Sequence, residues 1–331
     1  MTEHFPITVN SISALAEHGI DRFCMAVGIF DGVHGGHRHL LRRLSDMAEK
    51  LHAAPVVLTF SPHPKVIVDP DHAPTLLLSA EEKAARLASC GVKAIVTIPF
   101  TAELAAMSAE DFFDHILKDS PAKLCGFCVG RRFHCGAKGH GTIDVLAAYG
   151  EKHGIHFESE PELVLNDEIV SASSIRQAIA SGDLEKAKQY LQKDVTLYGT
   201  VVSGFGIAGT KLEHPTANIE LKYGVLPPCG VYAAFTVIDG IRHATALQIG
   251  KAPTFLTDGP VRIEAHLLDF KGNLYDRNVA VEVMGFIRTE RKFPDPQALM
   301  QQICKDVEMI RNILKGGNFK STSKNDLKED C

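Results

Sequence analysis

The chain has 331 residues, 45% hydrophobic and 23% charged, with a net charge of −5; this exceeds one domain of roughly 100–200 residues and predicts two. The basic clusters, Arg38 with Arg42 and Arg43 and Arg131 with Arg132, are too short for a nucleic-acid footprint. No apolar run approaches the roughly 20 residues that span a bilayer, and the N-terminal stretch lacks a basic segment followed by an apolar one, so a cytoplasmic protein with small-molecule partners is expected.

In chain order, the first half alternates short apolar runs (23–27, 56–60, 94–98 and 124–129) with helical patterns around 37–52, 80–90, 108–118 and 142–153. That alternation predicts parallel βαβ units and a doubly wound, Rossmann-like sheet, with ligands at the carboxyl ends of its strands. One such end is the run Val-Gly-Ile-Phe-Asp-Gly-Val-His-Gly-Gly-His at 27–37. Its glycines permit a tight turn, and the following helix, periodic in Leu40, Leu41, Leu44, Met47, Ala48 and Leu51, offers its free N–H groups to an anion.

His34 and His37 stand three residues apart in that turn and can donate to phosphate oxygens as charge develops on them. Such a pair is also half of a metal site, or simply surface histidine in a chain with 16 of them; no carboxylate or cysteine sits at ligand spacing beside it. Eight scattered cysteines are expected to be reduced and mostly buried. Cys125 and Cys128, with Cys135, His134 and His140 nearby, raise a zinc reading. It is opposed by their place in one strand, where residues three apart face opposite ways.

Near 170 the run Val-Ser-Ala-Ser-Ser-Ile-Arg precedes a helical pattern. Serine capping explains one serine there, but an arginine in a first turn makes better sense beside an anion. A further helix is predicted over 184–192. Beyond Asp194 the period becomes two, over 196–202, 230–237, 244–249, 261–269 and 279–286, with turns such as Asp239-Gly240, which predicts an antiparallel barrel or sandwich. A helix from Asp295 to Leu314 closes this half, and a polar tail from Lys315 is expected to be disordered. The domains are placed at 1–183 and 184–314, with the tail at 315–331.

Ser203 to Thr210 carries three glycines ahead of Pro215-Thr-Ala-Asn218, which fits either a phosphate and Mg²⁺ cradle or an ordinary hairpin. On the strand 261–269, Arg262, Glu264 and His266 share the face opposite Ile263, Ala265 and Leu267, so Glu264 is a candidate base on a polar face.

Together these runs resemble, over nearly the whole chain, the prokaryotic bifunctional riboflavin kinase/FMN adenylyltransferase family. Gly-Ile-Phe-Asp-Gly-Val-His-Gly-Gly-His looks like its adenylyltransferase signature, followed in order by Phe60-Ser-Pro-His-Pro64 and Ser171 to Arg176. Pro215-Thr-Ala-Asn218, Gly230-Val-Tyr232, Ile249-Gly250 with Pro253-Thr-Phe255, Glu264 with Leu267-Leu-Asp269, and Ile287-Arg-Thr-Glu290 with Phe293 resemble its kinase motifs.

The resemblance implies a Rossmann-like nucleotidyltransferase domain and a β-barrel kinase domain that make FMN and then FAD from riboflavin and ATP with Mg²⁺. It implies charge stabilisation by His34 and His37, and ATP or phosphate binding by Gly28, Phe30, Asp31, Gly32, Gly36, Ser173, Arg176, Gly204, Gly206 and Gly209. His63 and Pro64 would line a substrate-side loop, Thr216 and Asn218 would hold Mg²⁺, and Glu264 would be the kinase base. The chain departs from the family pattern at Arg131 and Arg132, at Ile207, Glu213 and His214, and at Asp276 and Arg277. These departures leave open a single-activity FMN adenylyltransferase, or a flavin-binding regulatory relative. The first turn alone would also suit a nucleotidyltransferase with another acceptor.

Overall fold

A computed structural model of the chain describes residues 6–202, 216–251 and 261–316. The chain divides into two compact units, Met1–Thr75 with Ala80–Ala172, and Leu76–Ser79 with Ser173–Cys331.

The first unit runs β1 (Ile7–Val9), α1 (Ala14–Glu17), β2 (Arg22–Val27), α2 (Gly35–Lys50), β3 (Ala54–Ser61), α3 (Pro64–Val68), α4 (Ala80–Ala88), β4 (Ala94–Pro99), α5 (Ala102–Ala106), α6 (Ala109–Leu117), β5 (Lys123–Gly130), α7 (Ile143–His153), β6 (His156–Glu160) and a two-stranded hairpin, β7 (Val164–Leu165) with β8 (Glu168–Ile169). Strands β1 to β6 form one parallel sheet in the order β1-β4-β3-β2-β5-β6. The predicted doubly wound sheet is therefore present, with edge strands β1 and β6 that the sequence pattern did not single out. The winding reverses between β2 and β5, so the loops leaving their carboxyl ends diverge and open a crevice there. Beneath it lies a continuous apolar core that includes Phe23, Met25, Val56, Leu58, Val96, Phe113 and Phe127.

Helix α2 forms for the reasons its period suggests. Leu40, Leu41, Leu44, Met47 and Ala48 are buried along one side, each leucine contributing about 1.5–3 kcal/mol. Its N-cap is His34, in extended backbone, whose Nδ1 accepts from His37 N–H at 3.4 Å.

The second unit takes helix α8 (Ala172–Ala180) apart from its first residue, then α9 (Leu184–Leu191), β9 (Val195–Val202), β10 (Thr216–Tyr223), β11 (Gly230–Ile238), β12 (Ile241–Lys251), β13 (Val261–Leu267), β14 (Asn278–Arg288) and α10 (Pro296–Leu314). The six strands close into an antiparallel barrel, β10-β13-β12-β11-β14-β9, which decides between the barrel and the sandwich. Leu197, Ile219, Tyr232, Leu247, Ala265 and Val281 belong to one buried cluster, and Val231, Ala233 and Ile287 to another that includes Ile310 of α10. Asp239-Gly240 makes the predicted two-residue hairpin, both residues at positive φ and Ile238 paired with Ile241. The tail beyond Gly316 lies outside the described residues.

Helix α10 starts at a cap, Asp295, whose side chain accepts from Ala298 N–H at 2.8 Å. It is tied to the barrel by Asp306, which is only 4% exposed and receives Arg288 Nη2 at 2.8 Å and Gln302 Nε2 at 2.7 Å. Removing one partner of such a pair strands the other charge. Asp306→Ala should therefore cost about 3 kcal/mol of stability, measured as a lowered urea midpoint of the second unit's unfolding.

Candidate functional site

The first site is the turn between β2 and α2. Phe30, Gly32 and Val33 all adopt positive φ (56°, 82° and 44°), which reverses the chain into α2; of that helix's first N–H groups, which lack intrahelical partners, His37's is taken by His34 Nδ1. Phe30 is fully buried, its ring 5.0 Å from that of His37 and packed against Gly28, where an added Cβ would meet it at 3.1 Å. Its ring is therefore a support for the turn, and only its backbone remains for a nucleotide.

His34 is 6% exposed, and its ring stacks on His37 with centroids 3.7 Å apart and planes at 19°. With His34 Nδ1 accepting a backbone N–H, the proton of the neutral ring belongs on Nε2, a donor. His37 Nδ1 is buried and has no hydrogen-bond partner among the described residues. Burial, with smaller contributions from His34 and Lys83, holds the His37 pKa well below the usual 6.5. The His37 ring is consequently a neutral one, and two stacked imidazolium ions would repel each other, so the pair does not carry two charges.

Groups that sequence reasoning missed complete this turn from below. Thr59, the polar residue inside the run Val56–Phe60, is fully buried and donates to Ile29 C=O at 3.2 Å. From α4, Arg86 donates through Nη1 to Gly32 C=O at 3.2 Å, and Lys83 Nζ reaches Ile29 C=O and Thr59 Oγ1 at 3.5 and 3.4 Å. Their signal in the sequence is faint: Lys83 and Arg86 are simply two basic residues three apart on a predicted helix. Asp31 is buried within the turn.

His63 caps α3, its Nδ1 accepting Lys65 N–H at 3.1 Å, with Pro64 as the first helical residue. Ser173 and Arg176 lie on α8; since that helix begins at Ala172, Arg176 stands in its second turn, not its first. Cys125 is half-buried and Cys128 fully buried on β5.

The departures from the family pattern that fall on described residues are held in ion pairs or loop contacts. Arg132 Nε lies 3.3 Å from Glu162, and Arg131 N–H donates to Glu160 C=O at 2.8 Å. Arg277 pairs with Asp239 across the barrel's hairpin end, while Asp276 takes positive φ and donates its N–H to Val201 C=O. Gly204, Gly206, Ile207, Gly209, Glu213, His214 and Pro253 to Phe255 lie outside the described residues, as does the side chain of Thr216.

The second site lies on the outward side of the barrel. Register places Asn218 opposite Glu264, Glu264 opposite Gln248, Gln248 opposite Val231 and Val231 opposite Arg288, one row across five strands. Arg262, Glu264 and His266 share a face as predicted, with Ile263, Ala265 and Leu267 buried behind them. That face is not simply solvated. Helix α10 roofs part of it and leaves a cavity of about 550 Å³ whose wall includes Gln248, Glu264 and Arg288 below and Leu299, Met300 and Ile303 above. Gln248 Nε2 also donates to Glu290 Oε1 at 2.8 Å, which puts a second carboxylate beside the row.

Comparison with known proteins matches each unit. A family model described as FAD synthetase covers residues 17–174, and one described as riboflavin kinase covers 191–314. The chain is 35% identical to a bifunctional riboflavin kinase/FMN adenylyltransferase of Pseudomonas fluorescens, over 88% of this chain and 93% of that one. It is 31% identical to proteins of the same name from Listeria monocytogenes, over 93% and 96% of the two chains, and Escherichia coli K12, over 90% and 95%. Among solved structures, a Streptococcus pneumoniae protein described as a macrolide-efflux protein shares the fold, with a TM-score of 0.79 and 27% identity over 93% of this chain and 99% of that one.

The lowered pKa of His37 is directly measurable. Because the unfolded ring titrates near 6.5 and the folded ring lower, its contribution to stability is complete above 6.5 and declines as pH falls from there toward the folded value. Imidazole NMR should find the His37 ring still neutral below pH 6.5, and a midpoint at 6.5 would contradict the buried, stacked geometry.

Proposed function

The chain belongs to the bifunctional riboflavin kinase/FMN adenylyltransferase family, and from that premise we propose which residues carry each of its two reactions. It is a transferase of flavin biosynthesis that phosphorylates riboflavin to FMN and adenylylates FMN to FAD. The observation that carries the assignment is the turn at 28–37: a strained glycine-histidine reversal at the sheet's switch point, with a helix N-terminus beside two stacked imidazoles.

In adenylyl transfer, an FMN phosphate oxygen attacks the α-phosphorus of ATP and pyrophosphate leaves. His34 Nε2–H and the N–H groups of α2 would hold oxygens of the transferring group, and His37 would stack beneath and donate in turn. Little covalent work falls to the protein, so positioning and charge stabilisation supply the acceleration. Gly28, Asp31, Gly32 and Gly36 shape the cradle, with Ser173 and Arg176 proposed for the leaving phosphates and His63 with Pro64 for the substrate-side loop.

In the kinase reaction, Glu264 takes the proton from the terminal ribityl hydroxyl as its oxygen attacks the γ-phosphorus of ATP. Support comes from its position: the carboxylate borders a cavity of the size that holds a small ligand, apolar on the α10 side and polar on the strand side. The donors nearby suit Mg²⁺, since Asn218 brings a hard amide oxygen in direct register with Glu264 and Thr216 lies two residues earlier on the same strand. The ion, bound with ATP, would offset phosphate charge; Gly204, Gly206 and Gly209 are proposed for the phosphates themselves.

Incubating the chain with riboflavin, ATP and Mg²⁺ and separating the flavins by chromatography should yield FMN and FAD. His34→Ala should abolish FAD formation from FMN and spare FMN formation. Glu264→Gln should slow FMN formation about a hundredfold or more and spare FAD formation from added FMN. Loss of both activities in either variant would contradict two separate sites.

A further inference from the structure

Two cations reach the nucleotide turn from α4, and only one is satisfied there. Arg86 is 3% exposed and fully engaged, with Nε on Glu82 Oε1 at 2.7 Å and Nη1 on Gly32 C=O. Lys83, three residues before it on the same helix face, donates two long hydrogen bonds to neutral acceptors, Ile29 C=O and Thr59 Oγ1. Among the described residues no carboxylate lies within ion-pair distance of its ammonium; Asp31 favours the charge from farther away, while burial works against it and lowers the pKa.

A half-buried ammonium whose protein partners are neutral is costly to keep. Glutamine could make the same two hydrogen bonds without a charge. A second group is incomplete at the same place: His37 Nδ1 is buried without a partner, and His37 senses the Lys83 charge. The His37 ring is held neutral by burial, so it brings no charge to a polyphosphate. The missing element at this turn is an anion.

We propose that Lys83 is a phosphate-binding catalytic residue of adenylyl transfer, its ammonium taking oxygens of the ATP phosphates as negative charge shifts to the leaving pyrophosphate. This rests on the assignment of FAD formation to the turn at 28–37. Lys83 exchanges no proton and forms no bond in the step; in addition to Arg176, already proposed for the leaving phosphates, it supplies a positive charge from the turn itself.

The test uses the full chain as wild type, Lys83→Met and Lys83→Arg, with FAD formation from FMN at varied ATP and FMN formation from riboflavin measured in each. If the wild type makes no FAD, the reading of the turn has failed, whatever Lys83 does. If it does, Lys83→Met should lose about a hundredfold in kcat/KM for ATP in FAD formation while riboflavin phosphorylation stays within about twofold. Lys83→Arg, which keeps the charge, should recover part of the loss. Unchanged FAD kinetics in Lys83→Met would overturn the proposal. So would an equal fall in both activities, or an arginine variant that folds and is no better than methionine, since these mark a structural residue. Should Lys83→Met not fold, Lys83→Arg against Lys83→Gln decides: arginine faster in FAD formation supports the proposal, and equal rates overturn it.

Discussion

The left-handed reversal at residues 30–33 is the constraint on which the candidate site of the first unit depends. Glycine enters positive φ freely, but Phe30 and the β-branched Val33 are held there at a cost on the order of 1–3 kcal/mol each. The surroundings over-determine the shape. Phe30 is sealed into the core, Val33 N–H closes the turn onto Phe30 C=O, and Gly28 N–H is bound to Leu58 C=O on β3. Thr59 and Arg86 then fix the carbonyls of Ile29 and Gly32. Relaxing the turn would release these two carbonyls, so the side chains that bind them also hold the reversed shape.

Sheet order explains why the turn lies where a ligand can use it. With β3, β4 and β1 on one side of β2 and β5 and β6 on the other, the crevice receives one loop from each direction. The loop after β5 is strongly basic, with Arg131, Arg132, His134, Lys138 and His140, yet it is anchored. Ala137 N–H binds Met107 C=O at 2.7 Å, and Cys135 and Gly141 bridge each other. A Cβ at Gly136 would meet the Ala109 backbone at 2.7 Å, so the approach needs glycine. The departure from the family pattern at Arg132 is met by an ion pair with Glu162 at the edge of the loop. Such a departure need not disturb the turn across the crevice.

What the sequence made legible follows from which forces act locally. Helices α2, α6, α7 and α10 carry one-sided apolar periods and caps, and strands β2 to β5 are continuous apolar runs, so pattern alone located them. Strand β10 is different: Thr216-Ala-Asn-Ile alternates weakly, and its strand state comes from pairing with β9 and β13, partners distant in sequence. The short edge strands β1 and β6 are likewise defined by neighbours. Within the site, His34, His37 and Glu264 stood out as residue types chemistry favours, whereas Lys83, Thr59 and Gln248 became meaningful only once packing brought them to the turn or to the row on the barrel.

The two units build their candidate sites by opposite means, and the second explains the last helix. An α/β sheet offers backbone N–H groups at a helix start, so its site forms from a turn. A six-stranded barrel has no such opening, because its narrow interior is already filled by side chains such as Leu197, Tyr232 and Leu247. Functional groups must then stand outside, on a row fixed by strand register, where water would screen them. Helix α10 changes that environment by roofing the row, and it is held by a charge pair as well as by Ile310 and its apolar neighbours. Arg288 belongs to both the row and that pair. The contact that closes the cavity and the strand register that presents Glu264 are therefore parts of one framework.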